Sequence, residues 1–390
     1  MIKEKIKGVV KYNKSFFRLY FFLGNIGLRI IKLFVKQDPR LILITCYGGK
    51  KYDDSPKAIY ERLLKDNRFD DFKIVWAFID PHNYNLPRGS LVKIDTLAYY
   101  VMMYKAKVWI TNSGMERGLY FNAKNVYSVQ TWHGTTIKKM GFDTNGDAFG
   151  SLKETPTSLW LAQSKYDVEI IKSSFRIPDE VLQITGLPRN DELVSCNEDK
   201  QNIYKKKLGI PLNKKVILYA PTYREYARDN GSSCIMAPPI DLKKWQDNLG
   251  EKYYLLFRAH YEVTKILNVE ESCFCRDVSS YENLNELMMA SDILLSDYSS
   301  LFFDFSILER PMLVFAYDYD DYIVKRGVYF DIREELQDYA STEDEVIYNI
   351  QNIDEEKRIQ VARRFKSQYI EECGSASEKV LNLIFENCSE

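Results

Sequence analysis

The chain has 390 residues, a formal net charge of −1, 45% hydrophobic residues and 14% aromatic residues. That length carries two domains of ordinary size, and the apolar fraction excludes a disordered chain. Balanced charge excludes a nucleic-acid binder that relies on overall positive charge, and seven cysteines without a Cys-x-x-Cys pair read as reduced thiols rather than a zinc or redox site.

Residues 1–38 depart from that balance, with nine bases against Glu4 and Asp38. Lys7, Lys11, Lys14, Arg18, Asn25, Arg29, Lys32 and Lys36 recur at steps of three, four or seven, which places them on one helical stripe. The longest charge-free run, Leu19 to Leu28, covers ten residues, about half of the ~20 needed to cross a bilayer. No small-x-small cleavage site follows it, so a signal peptide is not indicated. The expectation is an amphipathic helix, or two hinged at Gly24, Asn25 and Gly27, lying in an anionic membrane surface with Arg18, Arg29, Lys32 and Lys36 toward the head groups. The alternative is that its apolar face packs on the protein's own core.

From Arg40 onward, strand and helix signals alternate. Residues 41–45 read as a buried strand, and Ser55-Pro56 opens a helix running to Leu64. Further strands follow at 73–78, 91–94, 108–111 and in the run that ends at His133, with a helix near 97–105. Residues 181–185 form another strand, leading into Gly186-Leu187-Pro188-Arg189-Asn190-Asp191. The polar stretch 197–215 is the best linker candidate. A second series begins at 216–219 and continues through 253–257, 293–295 and 312–315, and the chain closes in charged, helix-like sequence. Short apolar strands separated by helices indicate parallel sheets covered on both faces. The predicted class is α/β, with two Rossmann-like domains facing a central cleft and boundaries at 1–38, 39–205 and 206–390. Neither Gly-x-Gly-x-x-Gly nor Gly-x4-Gly-Lys-Ser/Thr occurs, which disfavours dinucleotide redox enzymes and P-loop ATPases.

Three polar clusters sit at expected strand ends, where open parallel sheets bind ligands. His133 is followed by Gly134, Thr135, Lys138 and Lys139; an imidazole titrates near neutrality and suits a general base. Arg258 and His260, two apart, share one strand face and can meet one anion. Asp297-Tyr298-Ser299-Ser300 opens a helix, where hydroxyls and free amides bind anions without a metal. Thr222 and Arg224 add a hydroxyl and a guanidinium at a fourth strand end. Asp318-Tyr319-Asp320-Asp321 contains an Asp-x-Asp spacing that is common by chance among 55 acids, and no metal is expected.

Gln130-Thr131-Trp132-His133-Gly134-Thr135 with Lys138 and Lys139, Tyr219-Ala220-Pro221-Thr222-Tyr223-Arg224, Arg258-Ala259-His260-Tyr261, Ser296-Asp297-Tyr298-Ser299-Ser300 and Arg310-Pro311-Met312 occur in fixed order. Together with Gly186-Leu187-Pro188-Arg189-Asn190-Asp191, this set resembles the CDP-glycerol glycerophosphotransferase family of teichoic-acid synthesis, from about Leu41 to Asp331. Thr136, and the segment Asp331 to Glu335, depart from the family pattern at the cleft edge.

The resemblance implies a GT-B fold, peripheral attachment at the cytoplasmic face of the membrane, and no cofactor. It implies transfer of glycerol phosphate from CDP-glycerol to a lipid-linked polyol-phosphate or saccharide acceptor, with CMP released. His133 would be the base, with Gly134, Thr135, Lys138 and Lys139 on the acceptor side. His260 would be catalytic as well, holding the donor pyrophosphate with Arg258, Ser299 and Ser300, and Thr222, Arg224 and Asp297 would also serve the donor. CDP-ribitol as donor, a sugar-nucleotide GT-B glycosyltransferase and a non-catalytic membrane adaptor stand as alternatives.

Overall fold

Short runs of β-branched and aromatic residues build two wholly parallel sheets in the computed structural model, which describes residues 14–121, 123, 125–144, 157–222, 224, 237–259, 263, 264, 267, 269 and 271–389. The first contains β1 (Asp38–Thr45), β2 (Lys73–Phe78), β3 (Ser90–Lys93), β4 (Ala106–Thr111), β5 (Tyr127–Gln130), β6 (Leu159–Ala162) and β7 (Leu182–Ile184), in the order β3-β2-β1-β4-β5-β6-β7. The second contains β8 (Lys215–Ala220), β9 (Tyr253–Phe257), β10 (Cys275–Asp277), β11 (Ile293–Ser296), β12 (Met312–Phe315) and β13 (Tyr339–Ala340), in the order β10-β9-β8-β11-β12-β13. The mixed α/β class with parallel sheets is as expected from the sequence, although β6, β10 and β13 had no clear signal there.

Central strands are apolar on successive residues because helices cover both faces; Ile42, Leu43 and Ile44 are all fully buried. Strand order reverses between β1 and β4, and again between β8 and β11. The crevices beyond those strand ends are the natural ligand sites of the fold.

Two stretches behave differently from their sequence reading. The expected linker is largely a helix, Glu198–Lys207, whose first turn is capped by the Asn197 side chain and whose last turn carries three lysines that suit the helix dipole. It packs on the Leu284–Ala290 helix of the second sheet, and Lys205 Nζ reaches Asp292 at 2.8 Å. Residue 206 lies inside this helix. The final helix, Ala376–Ser389, returns to the first sheet: Val380, Leu381 and Ile384 lie in the core with Ile42, Trp76 and Ile110. Asp191 caps it, accepting the Ala376 and Ser377 amides at 2.8 Å each.

The basic N-terminal segment forms one helix, Lys14–Phe34, without a break at Gly24. Gly24 serves close approach, since a Cβ there would lie 2.5 Å from Leu119 Cδ2. Leu28 is buried, Tyr20 Oη donates to the Arg117 carbonyl at 2.8 Å, and Asn25 Oδ1 accepts the Tyr120 amide at 3.1 Å. One stripe is thus docked on the first sheet's covering layer. Phe16, Leu19, Phe22, Leu23, Ile26, Ile30, Leu33 and Phe34 form a second, exposed stripe, with Leu33 81% and Phe34 83% accessible. Arg18, Arg29 and Lys32 on the helix, and Lys36 just after it, are exposed as well. Among the described residues, no helix is long and apolar enough to cross a membrane.

Candidate active site

β4 and β5 end side by side, with Thr111 opposite Gln130. Beyond them the chain turns sharply, with φ of +50° at Trp132 and +125° at Gly134. The turn sets the His133 ring 4.1 Å from the Trp132 ring and 5.9 Å from that of Tyr47, centroid to centroid. His133 Nδ1 lies 2.9 Å from the Asn112 carbonyl oxygen. A carbonyl only accepts, so in the neutral ring Nδ1 holds the proton and Nε2 presents a lone pair. Burial holds the His133 pKa below its ordinary value, against the opposing pull of the Asn112 carbonyl and Asp54, while Arg189 adds to the lowering. The ring is therefore neutral at pH 7 and able to take a proton.

The loop after β1 supports this arrangement. Tyr47, Gly48 and Gly49 all have positive φ, and the Tyr47 and Gly48 amides donate to Asn112 Oδ1 at 2.7 Å and Ser113 Oγ at 2.9 Å. Tyr47 Oη donates to Asp54 Oδ2 at 2.5 Å, which fixes the ring beside His133. Arg189 Nη1 donates to the His133 carbonyl at 2.8 Å. The φ of +125° at 134 favours glycine, and a Cβ there would also stand 2.5 Å from Arg189 Nη2.

The residues expected on the acceptor side divide into two kinds. Thr135 is buried, donating to Asp167 Oδ2 at 2.9 Å, and burial raises the Asp167 pKa to about 6. Its hydroxyl is turned inward and holds the turn from inside. Lys138 and Lys139 are half-buried, and their backbone joins the two halves: Lys138 bridges Val328, and the Lys139 amide donates to the Gly327 carbonyl at 3.2 Å.

In the second sheet, Arg224 and Asp297, both expected at the donor, are engaged with neighbouring side chains. The Arg224 side chain has no accessible surface; it pairs with Asp297 at 2.9 Å and, through two nitrogens, with Asp318 at 2.6 and 2.8 Å. Asp297 further accepts the Thr222 amide at 2.9 and 3.1 Å. Buried charges demand partners, and this set satisfies itself beneath the strand ends. Thr222, Ser299 and Ser300 remain partly accessible above it. Arg258 Nη1 donates to the Val278 and Tyr281 carbonyls at 2.9 and 2.7 Å; burial lowers its pKa, while Asp53, of the first half, and Asp277 oppose that lowering. Arg258 thus stands within electrostatic reach of the first half. His260 lies outside the described residues.

The chain matches the family described as CDP-glycerol:poly(glycerophosphate) glycerophosphotransferase over residues 28–386. It belongs to that family. Among curated glycerophosphotransferases of this kind, it is 30% identical to the teichoic acid glycerol-phosphate transferase of Staphylococcus aureus (strain NCTC 8325 / PS 47), over 99% of this chain and 100% of that one. It is 33% identical to the teichoic acid poly(glycerol phosphate) polymerase of Staphylococcus epidermidis (strain ATCC 35984 and its synonyms), over 90% of this chain but 51% of that protein, so it spans about half of that relative. The solved wall teichoic acid polymerase TagF superposes with a TM-score of 0.82 at 29% identity, covering 94% of this chain and 96% of that one. One TagF structure is of a histidine variant soaked with CDPG. Family membership displaces the sugar-nucleotide glycosyltransferase and adaptor readings.

Sequence reasoning missed Tyr47, Asp54 and Asp304 and gave Arg189 no role. Tyr47-Gly48-Gly49 after the first strand was a legible signal, since paired glycines there mark a loop that needs positive φ.

Proposed function

We propose that this glycerophosphotransferase moves glycerol phosphate from CDP-glycerol to a hydroxyl of a lipid-linked teichoic-acid or capsule acceptor. The observation that carries the reading is the His133 tautomer: Nδ1 is engaged by the Asn112 carbonyl, and Nε2 is left as a base at the sheet's switch point. The acceptor oxygen bonds to the phosphorus bearing glycerol as His133 Nε2 takes the hydroxyl proton. The phosphorus–oxygen bond toward cytidine monophosphate breaks, and its electron pair leaves with CMP. Arg258, Ser299 and Ser300, together with His260, hold the donor pyrophosphate, where positioning and charge stabilisation dominate phosphoryl transfer. Gly134, Lys138 and Lys139 border the acceptor side.

In this reading the two sheets are the facing halves of a GT-B-like enzyme, acceptor on the first and donor on the second. The exposed apolar stripe of the Lys14–Phe34 helix, next to Arg18, Arg29, Lys32 and Lys36, supports peripheral attachment to an anionic membrane at the cytoplasmic face. Leu33→Glu with Phe34→Glu should release the protein from anionic vesicles; unchanged co-sedimentation would refute that attachment.

The deciding experiment offers the purified full chain CDP-glycerol or CDP-ribitol over a lipid-linked acceptor and follows CMP. Release from CDP-glycerol is expected. Release from CDP-ribitol alone would replace the donor, and release from neither would end the reading.

A further inference from the structure

Arg189 lies in the turn Pro188–Asn190, within the segment where the chain first leaves the first sheet. Its guanidinium reaches three separate elements. Nη1 is 2.8 Å from the His133 carbonyl oxygen and 3.3 Å from Asp54 Oδ2, at the start of the Asp54–Leu63 helix; Nη2 is 2.5 Å from Asp304 Oδ2. Asp304 belongs to the Leu301–Ser306 helix of the second half, which begins directly after Ser299 and Ser300, and its Oδ1 accepts from Asn190 Nδ2 at 2.7 Å. The side chains of Arg189, Asp54 and Asp304 are 15%, 3% and 4% exposed, so salt screens these pairs little. Beside them opens a cleft of about 530 Å³ between the halves, with Tyr47, Lys57 and Asn285 also in its wall.

We propose that Arg189 is a positioning residue that ties the His133 turn to the donor-holding helix, so that base and donor keep one separation during transfer. The proposal rests on His133 being the base. Three acceptors in different directions match the fork of a guanidinium and exceed what a single ammonium reaches in fixed geometry. The groups facing His133 are the Tyr47 ring and the Asp54 carboxylate from the β1 side, the Asn112 carbonyl from β4, and Arg189; Asp304 acts through Arg189. Arg189 and Asp54 act on the imidazole with opposite signs. Loss of the cation makes His133 hold its proton more tightly, and loss of the carboxylate does the reverse.

The test uses full-length Arg189→Met, Arg189→Lys, Asp54→Asn, Asp304→Asn and His133→Ala, assayed for CMP release across pH, with thermal unfolding as a control. Arg189→Met should lower kcat about 100-fold, with KM for CDP-glycerol changed less than about 3-fold, and Arg189→Lys should restore little. The acid limb of kcat/KM should move to higher pH in Arg189→Met and to lower pH in Asp54→Asn, a split that a purely structural role does not produce. Asp304→Asn, made in the other half, should reproduce the kcat loss, and it decides with Arg189→Lys should Arg189→Met not fold. The clamp is overturned if Asp304→Asn and Arg189→Lys stay within about 3-fold of wild-type kcat, or if the acid limbs fail to part. An inactive His133→Ala beside such near-normal variants refutes the clamp alone; an active His133→Ala refutes the base and the clamp with it.

Discussion

The strand ends of the first sheet and those of the second carry similar polar residues and use them in opposite ways. At the first, His133 has one ring nitrogen fixed by Asn112, and its surroundings hold it neutral. At the second, Arg224, Asp297 and Asp318 neutralise one another with almost no accessible surface. A reactive group needs an unspent valence toward the cleft, whereas a buried charge needs every valence filled. Under the proposed function, the contrast would separate a residue that does chemistry from residues that hold the platform beneath it.

The comparison breaks most readily at His133. Replacing it by Ala should cut CMP release by about 100-fold to 10,000-fold while leaving the unfolding midpoint near wild type. A matching loss of stability would place His133 with the supports instead. Arg224→Met should show the converse, a stability loss of about 3–5 kcal/mol in denaturant titration, because two buried carboxylates are left without their cation. A stable, inactive Arg224→Met would return this arginine to the donor. The smallest effect sharpens the first half alone. Because the His133 pKa is lowered, its base form persists into mildly acidic solution, and the acid limb of kcat/KM should fall below the ordinary imidazole value of about 6.5. A limb at or above neutrality would contradict the buried, neutral imidazole.

Local pattern carried much of this into the sequence. Strands at 73–78, 253–257 and 312–315 were legible because each is a short run that is apolar throughout or, at 73–78, after Lys73, and His133 was legible because it follows such a run. What stayed hidden depends on distance along the chain. Arg224 and Asp318 are 94 residues apart, and no local rule says that they will meet or that the pair will be buried. Thr135 looked like an exposed hydroxyl beside a histidine, but Asp167 draws it inward. The helix Glu198–Lys207 read as a linker because it buries little beyond Lys205 and draws its support from caps and ion pairs rather than an apolar face. For the N-terminal helix, periodicity gave the helix but not the split of its apolar residues between a docked stripe and an open one.

The return of Ala376–Ser389 to the first sheet reorders the events of synthesis. Domains commonly fold as they emerge from the ribosome, the earliest first. Here the earlier sheet cannot finish its interior until residues 380, 381 and 384 have been translated, so the second sheet, begun later, has all its strands before the first is sealed. A chain truncated after residue 374 would present a complete second layer and an open groove on the first, a state in which chaperone capture and proteolysis should concentrate on the N-terminal half.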